Sequence, residues 1–100
     1  MTWNVEFDDR ARRELRKLDQ GAQSEVLRYL RERIAGSEDP TRFGKALTGN
    51  LAGLWRYRVG DYRLVCRLEN ATFVVMVLRV GHRKNVYDLG TQVGKAARDL

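Results

Sequence analysis

The chain has 100 residues, 43% of them hydrophobic, and its 19 Lys and Arg outnumber its 13 Asp and Glu to give a formal charge of +6 and a pI near 10.0. This size predicts one domain over residues 1–100, and the composition excludes a disordered chain, an internal disulfide (Cys66 is the only cysteine) and a membrane span. The single cysteine, together with an N-terminal sequence that predicts neither a signal peptide nor a membrane span, indicates the cytoplasm. The basic charge predicts a polyanionic partner such as nucleic acid, an acidic protein or an anionic membrane surface.

The first predicted element is a strand. Trp3, Val5 and Phe7 alternate with polar residues, which is the period of a half-buried strand. Asp8 and Asp9 then offer an N-cap and a favourable charge at a helix start. The apolar positions of this first helix are Ala11, Leu15 and Leu18.

A second helix is predicted from about Ala22 to Ala35, after a break at Asp19-Gln20-Gly21. The two helices should form an antiparallel hairpin. The apolar stripe of the second helix is predicted to be Val26, Leu27, Leu30 and Ile34.

Residues 37–53 are predicted to form a loop, and three antiparallel strands are predicted after it, at 54–59, 62–69 and 72–80. The turn Gly60-Asp61 suits a two-residue hairpin because glycine tolerates positive φ, whereas Ala71 makes the second turn, Asn70-Ala71, a weaker one. Residues 73–78 are wholly apolar, which indicates a central strand covered on both faces. Residues 91–100 favour a short, marginal C-terminal helix that we expect to be mobile.

The first hairpin turn sets a register that places arginines together. If Gly60-Asp61 is the loop, Arg58 lies opposite Arg63, and both share a face with Arg56 and Arg67. Like charges opposite each other on paired strands destabilise a sheet by about 0.2–1 kcal/mol. A single arginine can simply lay its stem over apolar surface, but four on one face favour an anion-binding role, for which guanidinium groups suit phosphate.

Three segments together resemble the RelE branch of the RelE/ParE toxin superfamily over about residues 3 to 90. They are "FDDRARRELRKL", "GKALTGNLAGLWRYRV" and "VGDYRLVCRLENATFVVMVLRVGHRKNVYDLG". The resemblance implies an α+β fold with an N-terminal strand, an α-helical hairpin, a three-stranded antiparallel meander and a short C-terminal helix. It also implies a type II toxin that cleaves mRNA in the ribosomal A site without metal and inhibits translation.

The resemblance further implies which residues are catalytic. The family's basic cluster and its aromatic residue map onto Arg56, Arg58, Arg63, Arg83 and Tyr87. The first two positions are lysine in the best-known relative. Because arginine stays protonated and is a poor base, Tyr87 is the first candidate for moving the proton, since nearby arginines would favour its phenolate form.

Four further residues are expected to contact RNA: Lys45, Arg67, His82 and Lys84. Histidine is a common general acid or base, but His82 ranks below Tyr87 because an extended backbone would point it away from Arg83. Lys45 could supply a base if its loop folds inward. One histidine, one cysteine and no close carboxylate cluster offer no zinc or magnesium site, so no cofactor is expected.

The partners implied by the resemblance are a RelB-like antitoxin, the ribosome with its A-site mRNA, and operator DNA only through the antitoxin complex. No membrane partner is implied. An alternative is a ParE-like toxin, which shares the fold, lacks the basic catalytic set and inhibits DNA gyrase by binding. A third possibility is a basic module that binds nucleic acid without cutting it.

Overall fold

The computed structural model describes residues 2–83, which form a five-stranded sheet with two helices packed against one face. The strands are β1 (Asn4–Phe7), β2 (Lys45–Ala46), β3 (Leu54–Val59), β4 (Tyr62–Glu69) and β5 (Val74–His82), and the helices are α1 (Asp9–Lys17) and α2 (Gln20–Tyr29). The order across the sheet is β1-β5-β4-β3-β2, with β1 parallel to β5 and the other neighbours antiparallel. The predicted N-terminal strand, the two helices and the three antiparallel strands are confirmed, whereas the helix predicted over residues 91–100 lies outside the described residues.

Two aspartates start the two helices. The Asp8 carboxylate accepts a hydrogen bond from the Ala11 backbone N–H at 2.8 Å, and Asp19 does the same for Ala22 at 2.8 Å. Each bond satisfies one of the N–H groups that a helix start leaves without an internal partner. Because Asp19 is a cap, α2 begins at Gln20, so the predicted break through Gly21 and the start near Ala22 were placed too late.

The second helix ends in a wider turn than predicted. Residues Leu30–Ile34 form a π-helical segment, in which the Ala35 N–H donates to the Leu30 carbonyl at 2.7 Å. The buried row consists of residues four apart: Ala22, Val26, Leu30 and Ile34. Leu27 is 43% exposed, so its predicted place in the apolar stripe was wrong, because it is rotated by about 100° from Val26 around the helix.

The register of the first hairpin is the predicted one at every position. Gly60 begins the turn at φ 58°, and Arg58 pairs with Arg63. The face that contacts the helices contains Trp55, Tyr57, Val59, Tyr62, Leu64 and Cys66. The arginines therefore lie on the opposite face.

The second turn differs from the prediction. Residues 70–73 separate β4 from β5, and Phe73 takes a positive φ of 56°. Ala71 disfavours the positive φ of a two-residue turn, and the structure has a longer turn instead. Positive φ is also unfavourable at Phe73, whose ring packs edge-on against Trp3 at 5.5 Å. The inner position of β5, between β1 and β4, is confirmed. Its helix-side residues Val75 and Val77 are fully buried, whereas Met76 and Leu78 on the other face are only partly buried, so the predicted cover is complete on one face alone.

The segment predicted as a loop, residues 37–53, is tied to the edge of the sheet. Its residues Lys45–Ala46 pair as β2 with Arg56 and Trp55. The Tyr57 hydroxyl donates to the Pro40 carbonyl at 2.7 Å, and the Trp55 indole N–H donates to the Phe43 carbonyl at 2.8 Å. These bonds bring Lys45 beside the arginine face.

A small second apolar cluster lies on the arginine side of the sheet. It consists of Leu54 and Val65, with Leu47, Leu51 and Leu78 packed against them. Among residues 2–83, no helix is both long and apolar enough to cross a membrane.

Candidate active site

Arg56, Arg58 and Arg63 form a cluster on the sheet face opposite the helices, and we call them the arginine cluster. The strand pairing of β3 with β4 places Arg58 directly opposite Arg63, and Arg56 lies two residues away on the same face. The repulsion between these groups is unfavourable in the free protein. An anion bound between them would remove it.

Arg63 is the member of the cluster whose guanidinium is hydrogen-bonded to the backbone. Its Nη1 donates to the backbone carbonyls of Gly60 at 3.2 Å and Tyr62 at 3.0 Å, which fixes the guanidinium over the hairpin turn. Burial, followed by repulsion from Arg58, Arg56 and Arg83, lowers the pKa of Arg63. Arg63 therefore lies within electrostatic reach of Arg56, Arg58 and Arg83.

Arg83 reaches the cluster through the same hairpin turn. Its backbone N–H donates to the Asp61 carbonyl at 2.7 Å, which fixes the chain where β5 ends. Its Nε lies 3.9 Å from the Asp61 carboxylate, but the two side chains are 55% and 67% exposed, so this ion pair is weak. The guanidinium remains accessible to a ligand.

The predicted RNA-contacting residues differ in their position relative to the arginine cluster. Lys45 is exposed and pairs through β2 with Arg56, so it extends the cluster. Arg67 lies on the same face, but Glu69 binds it at 2.9 Å and offsets its charge. His82 contacts the Tyr62 ring edge-on at 5.7 Å on the helix side, away from the cluster. Lys84 and Tyr87 lie outside the described residues.

Two clefts that the sequence did not predict adjoin the cluster. They lie along the edge of β3, where β2 pairs only with Trp55 and Arg56. The first, of about 240 Å³, is lined by Tyr29, Phe43, Gly44, Lys45, Arg56 and Arg58. The second, of about 210 Å³, shares Tyr29 and Arg58 with it and is lined also by Glu25, Arg28, Glu32, Arg33, Val59 and Gly60. Nothing in the pattern of α2 distinguishes Tyr29 from a core residue, so the sequence offered no signal for it.

A buried ion pair holds β5 to α1 before the chain reaches Arg83. Arg79, 4% exposed, donates from Nη2 and Nε to the Glu14 carboxylate at 2.6 and 3.0 Å. The Val80 backbone N–H donates to the same carboxylate at 3.0 Å. Sequence reasoning missed this pair because Glu14 and Arg79 are 65 residues apart, and each resembles an ordinary surface charge.

A family model described as the ParE toxin of the type II toxin–antitoxin system parDE matches residues 5–87. The fold and this match define a toxin of a type II toxin–antitoxin system. The chain belongs to the RelE/ParE superfamily of these toxins.

Similar proteins carry RelE-type names. Toxin RelG of Mycobacterium tuberculosis is 37% identical over 87 residues, which are 87% of this chain and 98% of RelG. A RelBE toxin–antitoxin complex from the same organism gives a TM-score of 0.75 at 34% identity, covering 82% of this chain and 99% of the solved one. A mutant of E. coli toxin RelE in the free state gives 0.67 at 25% identity, covering 92% and 97%.

Proposed function

We propose that this toxin is a ribosome-dependent endoribonuclease, which cleaves mRNA in the ribosomal A site by attack of a 2′-hydroxyl on the adjacent phosphorus and so inhibits translation. The observation that carries the proposal is the arginine cluster, with Arg83 in its electrostatic reach. Guanidinium groups that share one face suit the phosphate of such a reaction, because each can donate two hydrogen bonds to its charged oxygens.

The reaction has three requirements: removal of the 2′-hydroxyl proton, stabilisation of the extra negative charge on the phosphorane, and protonation of the leaving 5′-oxygen. Arg56, Arg58 and Arg63 meet the second requirement, since their donors lie on one face and Arg63 is already fixed by two carbonyls. Arg83, whose guanidinium is exposed within electrostatic reach of Arg63, adds positive charge for the same requirement. Tyr87 is assigned the removal of the 2′-hydroxyl proton, because arginine stays protonated and is a poor base, and the leaving 5′-oxygen takes its proton from water.

The ribosome supplies the geometry that the protein surface lacks. The arginine cluster lies on an open sheet face, and orientation of a 2′-hydroxyl in line with the phosphorus can be worth about 7–11 kcal/mol. Purified protein should therefore cut naked mRNA poorly and ribosome-bound mRNA well.

The proposed partner in the resting state is an antitoxin of the RelB type, with operator DNA contacted only through the complex. Solved relatives of this chain are complexes of toxin with antitoxin. The basic face favours an acidic, amphipathic antitoxin segment that is disordered alone. Binding should weaken steeply with salt, and titrations at low and high ionic strength that give equal affinities would contradict this.

The second candidate is a ParE-like toxin that inhibits gyrase by binding, and the name of the matching family model favours it. The arginine cluster argues against it, because ParE-like toxins lack the basic catalytic set that the cluster matches. The two functions separate in paired assays: mRNA cleavage on programmed ribosomes and gyrase supercoiling with the same protein sample. We expect cleavage without gyrase inhibition, and gyrase inhibition without cleavage would overturn the proposal.

A further inference from the structure

The cleft between Tyr29 and Lys45 has the composition of a nucleotide site. It combines an aromatic ring on α2 with three cations, Lys45, Arg56 and Arg58, at the edge of β3. Proteins bind single-stranded RNA by stacking bases on aromatic rings and holding phosphates with Lys and Arg. We propose that this cleft binds one nucleotide of single-stranded RNA next to the cleaved phosphate, with its base on the Tyr29 ring and its phosphate at Lys45, Arg56 and Arg58. The inference rests on the proposed function in taking mRNA as the ligand.

The wall of the cleft is fixed before any ligand binds. A Cβ at Gly44, which has a φ of +79°, would lie 2.3 Å from the Arg56 carbonyl oxygen, so only glycine lets the segment lie this close to β3. The Phe43 carbonyl accepts the Trp55 indole N–H, and this bond holds the same wall. A preorganised wall loses little conformational entropy on binding.

Tyr29 is the ring available to a base. It packs in a tilted arrangement against Tyr57, with centroids 6.1 Å apart, and this contact sets its orientation at the cleft. Phe43 also lines the cleft, but its ring already carries the Arg33 guanidinium at 5.5 Å. Burial raises the pKa of the Tyr29 phenol, so the ring stays neutral and does not repel phosphate.

The charges along the edge of β3 determine which end of the cleft holds the phosphate of the nucleotide. Lys45 and Arg56 line only the first cleft, and none of its described lining residues is a carboxylate. The adjoining cleft mixes Glu25 and Glu32 with Arg28 and Arg33, so its cations are already offset by carboxylates. Carboxylates repel phosphate, so the phosphate belongs at the Lys45 end. This end borders the arginine cluster, which places the bound nucleotide beside the reacting phosphate.

The test uses an RNA octanucleotide with 2′-O-methyl riboses, which cannot react, and one central 2-aminopurine, whose fluorescence is quenched by stacking. Tyr29→Leu keeps apolar volume against the core but removes the ring, and it should bind the probe about tenfold more weakly with less quenching. Tyr29→Phe keeps the ring and should bind as the unchanged protein does. Lys45→Ala should weaken binding and lower its salt dependence, whereas its matched control Lys17→Ala on α1 should not.

Equal affinity and quenching for Tyr29→Leu and the unchanged protein would overturn the inference, and so would equal losses in Lys45→Ala and Lys17→Ala. Melting temperatures establish that the variants are folded, and Lys45 is exposed, so its variant tests the cleft even where Tyr29→Leu is unstable. The assay needs neither ribosome nor cleavage. A protein that binds the probe through Tyr29 but cuts no mRNA on ribosomes supports the cleft and overturns only the proposed function.

Discussion

Replacement of Arg63 by alanine should separate catalysis from stability. The substitution removes the repulsion with Arg58, a gain of about 0.2–1 kcal/mol in the free energy of unfolding. It also removes two hydrogen bonds to the Gly60 and Tyr62 carbonyls, each worth about 0.5–1.5 kcal/mol and nearer the lower value where water can replace the donor. The two effects oppose each other, so stability should change by about 1 kcal/mol or less, and the melting temperature by about 4–8 °C at most.

Cleavage should respond far more strongly than stability. Loss of one fixed donor to a developing oxyanion costs about 10²–10³ in rate, and Arg63 is the most rigidly held donor of the cluster. The assay is single-turnover cleavage of mRNA on programmed ribosomes, with melting temperature measured in parallel. Arg13→Ala is the matched control, because Arg13 is an exposed arginine on α1, away from the arginine face. A folded Arg63→Ala protein that cleaves at the rate of Arg13→Ala would refute the reasoning.

Three further predictions concern the proton transfer assigned to Tyr87, the ion pair of Glu14 with Arg79, and the stability of the protein at alkaline pH. Tyr87→Phe should lose cleavage but still bind ribosomes, and retained cleavage would mean that the ring only stacks. Glu14→Ala should lower the free energy of unfolding by about 3–5 kcal/mol in urea titrations, because it leaves the Arg79 guanidinium buried without this carboxylate, and a change below about 1 kcal/mol would contradict this. Burial raises the pKa of the Cys66 thiol and the Tyr57 phenol, so above about pH 9 the unfolded chain releases protons that the folded chain keeps. The free energy of unfolding should therefore fall as the pH rises. A urea midpoint that stays constant between about pH 8 and pH 10 would contradict this.

The arginine face was predictable from local sequence. A glycine at the first turn position sets the register, and the register then determines which side chains share a face. Trp55 and Tyr57 therefore had to lie on the other face of the sheet from Arg56 and Arg58, and the structure confirms this. The N-cap of α1 at Asp8 was also predictable from neighbouring residues in the sequence.

The features that sequence reasoning missed depend on contacts between distant segments. The strand at Lys45–Ala46 has only two residues and forms because the Trp55 and Tyr57 side chains bind carbonyls of the preceding segment. The Glu14–Arg79 pair and the position of Tyr29 at the cleft both require the helices to be placed on the sheet. Neither placement leaves a periodic pattern in the sequence.

The most direct test of the central claim maps where the mRNA is cut. Ribosomes are stalled on a defined mRNA with a known codon in the A site, the protein is added, and new 3′ ends are located by primer extension. We expect cuts within the A-site codon, none on the same mRNA without ribosomes, and strongly reduced cuts with Arg63→Ala. Intact A-site mRNA after incubation with folded, antitoxin-free protein would contradict it.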